Sequence, residues 1–204
     1  MSKNSNETHR MITSDFIFAK YLDDTSVCDD LIEFYKNSSD KTPGRTGYGE
    51  IKPDWKDSID IALPPKTDIA NRYINQLKSI TDAYIEKFPW SDNYAPWSII
   101  EQINIQHYKP GGAFHIWHTE RSTSNYPRCY RHLVFMTYLN DVTDKGETEW
   151  YHQKVKFKPQ KGLTVIWPVD WTYTHRGIPS PTQDKYIITG WFSYLPEEIK
   201  EDYK

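Results

Sequence analysis

Apolar positions recur at helical spacing between Thr67 and Phe88, where Ile69, Tyr73, Leu77, Ile80, Tyr84 and Phe88 fall on one side. The spacing predicts a helix there, closed by Pro89. A shorter helix is predicted over Val27–Tyr35, after the capping residues Asp23-Asp24-Thr25-Ser26. Asp57–Leu63 alternates as a strand, with Ile59, Ile61 and Leu63 together, and Pro64-Pro65 ends it. Beyond Trp97 the pattern is one of strands and turns as far as Leu195. Helices come first and strands second, which predicts an α+β domain: a β-sandwich or barrel with helices on one sheet.

Two strands carry a second pattern. In Ile99–Tyr108, Ile99, Ile103 and Ile105 share one side, and Gln102, Asn104, Gln106 and Tyr108 share the other. In Lys185–Leu195, Tyr186, Ile188, Phe192 and Tyr194 oppose Lys185, Thr189, Trp191 and Ser193. The apolar sides are expected to meet the helices. The polar sides then face water or line a polar cavity, and a lysine in line with a tryptophan favours the cavity.

Residues 1–13 read as a flexible tail and 14–204 as one domain, its strands over about 97–195. Asn37–Asp54, rich in Gly, Pro, Ser and charge, reads as a long mobile loop, a frequent form of lid. Aromatic residues make up 15% of the chain, with 15 Tyr and 8 Trp, as a β-rich core or an aromatic-walled cleft requires. The net charge of −3 argues against a nucleic-acid partner. Two cysteines, Cys28 and Cys129, support neither a disulfide framework nor a thiolate metal cage. No apolar run is long enough to span a bilayer. The N-terminus has no apolar signal core. A soluble, cytoplasmic protein with no membrane partner is expected.

Among seven histidines, His118-Thr119-Glu120 is the most specific arrangement. On extended chain, residues two apart face the same way, so His118 and Glu120 can share one metal ion. His175, in the turn-like Thr174–Pro179 segment, is the candidate third ligand. His115 competes on spacing, but its distance of three from His118 suits a helix, and Gly111-Gly112 makes one unfavourable there. Two imidazoles and one carboxylate on one face of a cation leave open positions, which suits non-haem Fe(II). A single open position would suit hydrolytic zinc.

The C-terminal half resembles the prolyl 4-hydroxylase-type oxygenases that use Fe(II) and 2-oxoglutarate. The resemblance runs over about Gln102–Leu195 in a fixed order of motifs. Gln106–Phe114 (QHYKPGGAF) leads into His118-x-Glu120. Arg131 precedes Tyr138-Leu139-Asn140 by seven residues. Gly146-Glu147-Thr148-Glu149-Trp150 and Lys158–Leu163 (KPQKGL) follow. His175-Arg176-Gly177-x-Pro179 precedes Lys185-Tyr186, with the lysine ten residues after the histidine, and then Trp191.

The resemblance implies a double-stranded β-helix (jelly roll) with helices packed on one sheet. It implies His118, Glu120 and His175 as metal ligands and catalytic centre, and Lys185 as partner of the distal carboxylate of 2-oxoglutarate. Tyr138 is implied as a hydrogen-bond donor to the same co-substrate, with Tyr108 and Thr148 lining its pocket. Arg131 and Trp191 fall at substrate-binding positions. The implied cofactors are Fe(II), 2-oxoglutarate and O2, with ascorbate as a candidate reductant. The implied reaction is hydroxylation of a C–H bond, foremost of a prolyl residue in a peptide or protein. A free amino acid or another small molecule is the alternative substrate, and a non-catalytic jelly-roll binding module the alternative class. The chain departs from the family in two places: Glu120 stands where Asp is usual, and Lys145-Gly146 where two glycines are usual. A carboxylate at position 120 argues against halogenation, which needs that position vacated.

Overall fold

The computed structural model describes residues 12–47 and 49–197. Of the expected tail, residues 1–11 lie outside the described residues, while Ile12–Ser14 forms strand β1. The next strand, β2 (Ile17–Tyr21), pairs with β1 and feeds helix α1 (Ser26–Asn37). Strands β3 (Thr42–Pro43) and β4 (Ile59–Ala62) flank the long loop, and α2 (Asp68–Lys87) follows. The C-terminal half comprises β5 (Trp97–Ser98), β6 (Asn104–Tyr108), β7 (Arg131–Tyr138), β8 (Thr148–Trp150), β9 (Lys156–Phe157), β10 (Leu163–Pro168), β11 (His175–Gly177) and β12 (Lys185–Tyr194).

The larger sheet runs β1-β2-β10-β7-β12-β6-β4-β3, with β5 on the end of β12; the smaller runs β11-β8-β9. Every named pair is antiparallel. The molecule is thus mostly antiparallel sheet with two helices. Among the described residues, no helix is long and apolar enough to cross a membrane.

Helix α2 begins at the predicted threonine: Thr67 accepts the Ala70 N–H at 3.4 Å, satisfying one free donor of the first turn. Its apolar stripe (Tyr73, Leu77, Ile80, Tyr84) is fully buried. Helix α1 starts differently from expectation. Thr25 sits at its N-cap without a side-chain bond, and Asp24 instead accepts the Ser26 N–H at 2.8 Å. The stripes of both helices pack on one face of the larger sheet with Leu22, Phe18, Ile61, Ile105, Leu133, Phe135, Ile166, Ile188 and Phe192. At Gly190 a side chain would meet the Phe135 ring at 2.4 Å, so the glycine leaves the space over which that ring lies.

The opposite face of the larger sheet carries a second core (Val134, Met136, Tyr138, Val165, Trp167, Ile187), joined by Trp150 and Phe157 of the smaller sheet. The functional cavity opens between these layers. The strand predicted over Ile99–Tyr108 is regular only from Asn104; Ile103 still accepts from Leu63 N–H at 2.9 Å, and the chain bends at Glu101. The expected loop Asn37–Asp54 is irregular apart from β3, and is pinned by a turn in which Gly49 donates to Thr46 O at 2.8 Å.

Candidate metal and co-substrate site

The two candidate metal-ligand histidines are joined through their backbones. His118 N–H donates to His175 O and His175 N–H to His118 O, each at 3.0 Å, as an isolated antiparallel bridge. Cross-strand neighbours project side chains together, so the imidazoles meet with ring centroids 4.3 Å apart. The run into this bridge needs the turn at Gly111 (φ +87°) and Gly112, where a side chain would stand 2.7 Å from the Asp57 carbonyl. The Thr119 hydroxyl donates to Val169 O at 2.6 Å and keeps the segment extended, which turns Glu120 to the side of His118.

Each histidine spends Nδ1–H on a carbonyl two residues back: His118 on Ile116 O and His175 on Tyr173 O, both at 3.0 Å. A carbonyl only accepts, so Nδ1 carries the proton and Nε2 presents its lone pair. Glu120 Oε1 lies 3.6 Å from His118 Nε2 and 3.4 Å from His175 Nε2. The three ligand atoms lie within 4.8 Å of one another. Burial, aided by the neighbouring His175, pushes the pKa of His118 down, which favours the neutral, ligating imidazole. Burial opposes ionisation of Glu120, but hydrogen bonds and charge from the two imidazoles outweigh it and hold the carboxyl well below the usual range whenever an imidazole carries a second proton at Nε2, a proton that a bound cation would replace. Phe114 stacks on His118 at 3.6 Å, and Trp167 closes against His175 at 5.1 Å. Two neutral imidazoles and an ionised carboxylate fit a divalent cation of the Fe(II) kind. His115, the competing ligand, is not in this group.

The second oxygen of Glu120 is also held. Trp191 Nε1–H donates to Oε2 at 3.0 Å, and Arg131 Nη1 lies 3.4 Å from the same atom. Arg131 also donates to the Glu120 carbonyl at 2.9 Å and stacks on the Trp191 ring, 3.6 Å from its centroid. Its other nitrogens form a bidentate pair with Glu101, at 2.8 and 2.6 Å. The two expected substrate-binding residues therefore line the cavity while engaged with each other and with the metal-ligand carboxylate. Glu101 was missed by sequence reasoning. Its only signal was a carboxylate inside an otherwise apolar strand pattern.

The triad lines an open cavity of about 260 Å³. Lys185 lines the same cavity, buried opposite Tyr108 in the β6–β12 register. Its Nζ donates to Gly146 O at 3.0 Å and lies 5.0 Å from the Tyr108 ring centroid. Burial lowers its pKa to about 8. A buried ammonium with one neutral partner suits a carboxylate ligand. Thr148 and Tyr108 line the cavity as expected, and Gln106, which accepts from the Tyr108 hydroxyl at 2.8 Å, joins them. Tyr138 is placed differently. Its fully buried hydroxyl lies 2.8 Å from Thr148 Oγ1 and 3.1 Å from Phe157 O, and it accepts the Thr148 N–H at 3.2 Å. It stands behind Thr148 and orients that residue.

With this geometry in hand, residues 103–193 match the model of a family described as the 2OG-Fe(II) oxygenase superfamily. That stretch, just under half of the chain, is thus similar to a 2OG-Fe(II) oxygenase domain. The fold is shared with solved structures over nearly the whole chain. A viral collagen prolyl hydroxylase from Paramecium Bursaria Chlorella virus-1 aligns at 18% identity and TM-score 0.60, covering 93% of this chain and 98% of its own. A Pseudomonas putida prolyl-4-hydroxylase aligns at 14% and 0.66, covering 87% and 92%. A Trichoplax adhaerens prolyl hydroxylase, solved with a hypoxia inducible factor peptide fragment, aligns at 15% and 0.68, covering 93% and 84%. A search of curated protein sequences returns no match. The oxygenase domain takes Fe(II), 2-oxoglutarate and O2; His118, Glu120 and His175 would hold the iron, and Lys185 would pair with a carboxylate of the co-substrate.

Proposed function

We propose that this protein hydroxylates a prolyl residue in a peptide or protein, and that its two sheets form the jelly roll of that enzyme class. The observation that carries the reading is the convergence of His118, Glu120 and His175 in one cavity with the buried ammonium of Lys185. The preference for proline is supported by the solved neighbours, which are prolyl hydroxylases, one of them seen with a peptide.

When bound, iron and 2-oxoglutarate supply the oxidising chemistry: O2 is split between succinate, formed with loss of carbon dioxide, and the hydroxyl placed on the substrate. The chain's own residues position and shield. The two Nε2 atoms and Oε1, which converge on one point of the cavity wall, would hold the iron. Lys185 fixes the far end of the dicarboxylate, while Thr148, oriented by Tyr138, and the Gln106–Tyr108 pair line its flank. Phe114 and Trp167 cover the imidazoles and limit water. Arg131 and Trp191 bound the cavity beside Glu120, where the target C–H bond would enter.

The test is succinate formation dependent on Fe(II), 2-oxoglutarate and a proline-containing peptide, with a mass gain of about 16 Da on that peptide, the mass of one oxygen atom. Free proline serves as the second arm. Hydroxylation of free proline but of no peptide would replace the peptide reading with the small-molecule one. Absence of succinate under every condition would remove the enzyme reading.

A further inference from the structure

The oxygenase cavity has more positive charge than its proposed chemistry uses. Arg45, Lys56, Arg128, Arg131 and Lys185 line it, against the single carboxylate of Glu120. Three of these cations are accounted for. Lys56 pairs with Asp60 at 2.7 Å, Arg131 pairs with Glu101, and Lys185 is the buried anchor described above. Arg45 and Arg128 have no carboxylate within ion-pair distance among the described residues.

These two arginines come from different segments. Arg45 lies in the loop between β3 and β4, and one of its N–H groups donates to Gly49 O at 2.8 Å. Arg128 opens the short turn before β7, and its Nη1 reaches within 3.8 Å of the point where a side chain at Gly47 would begin. The guanidinium from the far segment thus comes into van der Waals range of the loop that carries Arg45. Two guanidinium groups facing one opening repel each other, and a planar anion that bridges them relieves that repulsion. A carboxylate matches the guanidinium fork in shape and charge.

Resting on the proposed prolyl hydroxylation, we propose that Arg45 and Arg128 form a carboxylate-binding subsite at the cavity mouth, selecting peptides with an Asp or Glu beside the target residue. The subsite is separate from Lys185, which lies at the buried end of the same cavity.

The test uses the whole protein, immobilised with Mn(II) and 2-oxoglutarate under nitrogen so that no turnover occurs. It is offered two synthetic heptapeptide pools, one centred on proline and one on alanine, with the other positions randomised. Acidic residues are expected to be enriched at a flanking position of the proline pool. A selected Glu peptide should bind about tenfold tighter than its Gln counterpart, the scale of one charge-assisted contact. The Arg45→Gln/Arg128→Gln protein should lose that preference and keep its 2-oxoglutarate affinity by titration calorimetry, which also shows that it folds. Equal acidic enrichment from the alanine pool would keep the subsite and overturn the prolyl reading. Enrichment of the proline pool without acidic residues would overturn the subsite and keep that reading. No enrichment from either pool, or a variant weakened toward 2-oxoglutarate instead of peptide, would overturn the subsite.

Discussion

Replacing Lys185 with methionine should make the free protein more stable and unable to hold 2-oxoglutarate. The ammonium is 4% exposed and its one direct hydrogen bond is to the Gly146 carbonyl. Burial brings its pKa from 10.5 to about 8. That displacement corresponds to a penalty of about 3 kcal/mol for carrying the charge in the folded protein. The sign follows from proton binding. Between about pH 8 and 10.5 the unfolded chain holds the proton and the folded one has released it, so stability rises with pH across that window. Below pH 8 both states are charged and the whole penalty applies.

Methionine keeps the unbranched stem, one atom shorter, and removes the charge, so at pH 7 the metal-loaded variant should gain up to about 3 kcal/mol. For a chain of this size that raises Tm by about 6–12 °C, measured by scanning calorimetry. Co-substrate binding moves the other way. A carboxylate left unpaired in a buried site costs about 3–5 kcal/mol, or two to three and a half decades in Kd by titration calorimetry. In the parent protein the affinity should fall about tenfold per pH unit above pH 8, because binding must then restore the ammonium. That slope should be absent from the variant. A variant that melts lower and binds 2-oxoglutarate unchanged would refute the account of a buried, charged anchor.

Three further outcomes test the Glu120 surroundings. Trp191→Phe keeps a ring under Arg131 but loses the N–H to Oε2, and should weaken Co(II) binding about ten- to a hundredfold in an absorption titration. Glu101→Ala leaves Arg131 buried without its bidentate partner and should cost about 3–5 kcal/mol in urea unfolding. Glu120→Asp restores the residue usual in the resembled family, yet its shorter arm cannot reach both the imidazoles and the indole N–H, so Co(II) affinity should fall about tenfold or more by the same titration.

The parts of the site that were legible in the sequence are those governed by local periodicity. Alternation along Lys185–Leu195 placed Lys185, Thr189 and Trp191 on one face, and all three line the cavity, while Ile188 and Phe192 pack toward the helices. The same rule separated Gln106 and Tyr108 from Ile105. The two-residue spacing of His118 and Glu120 works because the segment is extended and held by Thr119. The features that depend on depth or on distant partners were not legible. Tyr138 and Thr148 both point inward, and only the stacking of the two sheets puts the tyrosine behind the threonine. Glu101 breaks the strand pattern because the chain bends there, outside the regular strand, and its carboxylate meets Arg131, thirty positions later in the chain.

That distant pair bears on how a glutamate serves where the resembled family has aspartate. An extra methylene gives the carboxylate more freedom, and free rotation would let either oxygen, or both, turn to a cation. The indole N–H and Arg131 Nη1 occupy Oε2 and leave Oε1 facing the two imidazoles. Arg131 alone would neutralise the carboxylate it orients and weaken its hold on a cation. Glu101 offsets that charge, so the Glu101–Arg131–Glu120 group keeps one net negative charge toward the metal position while its geometry stays fixed. The arrangement accounts for the buried arginine without assigning it to substrate, and it concentrates the cost of the longer ligand in two residues, Glu101 and Trp191, whose loss should reach the metal before it reaches the peptide.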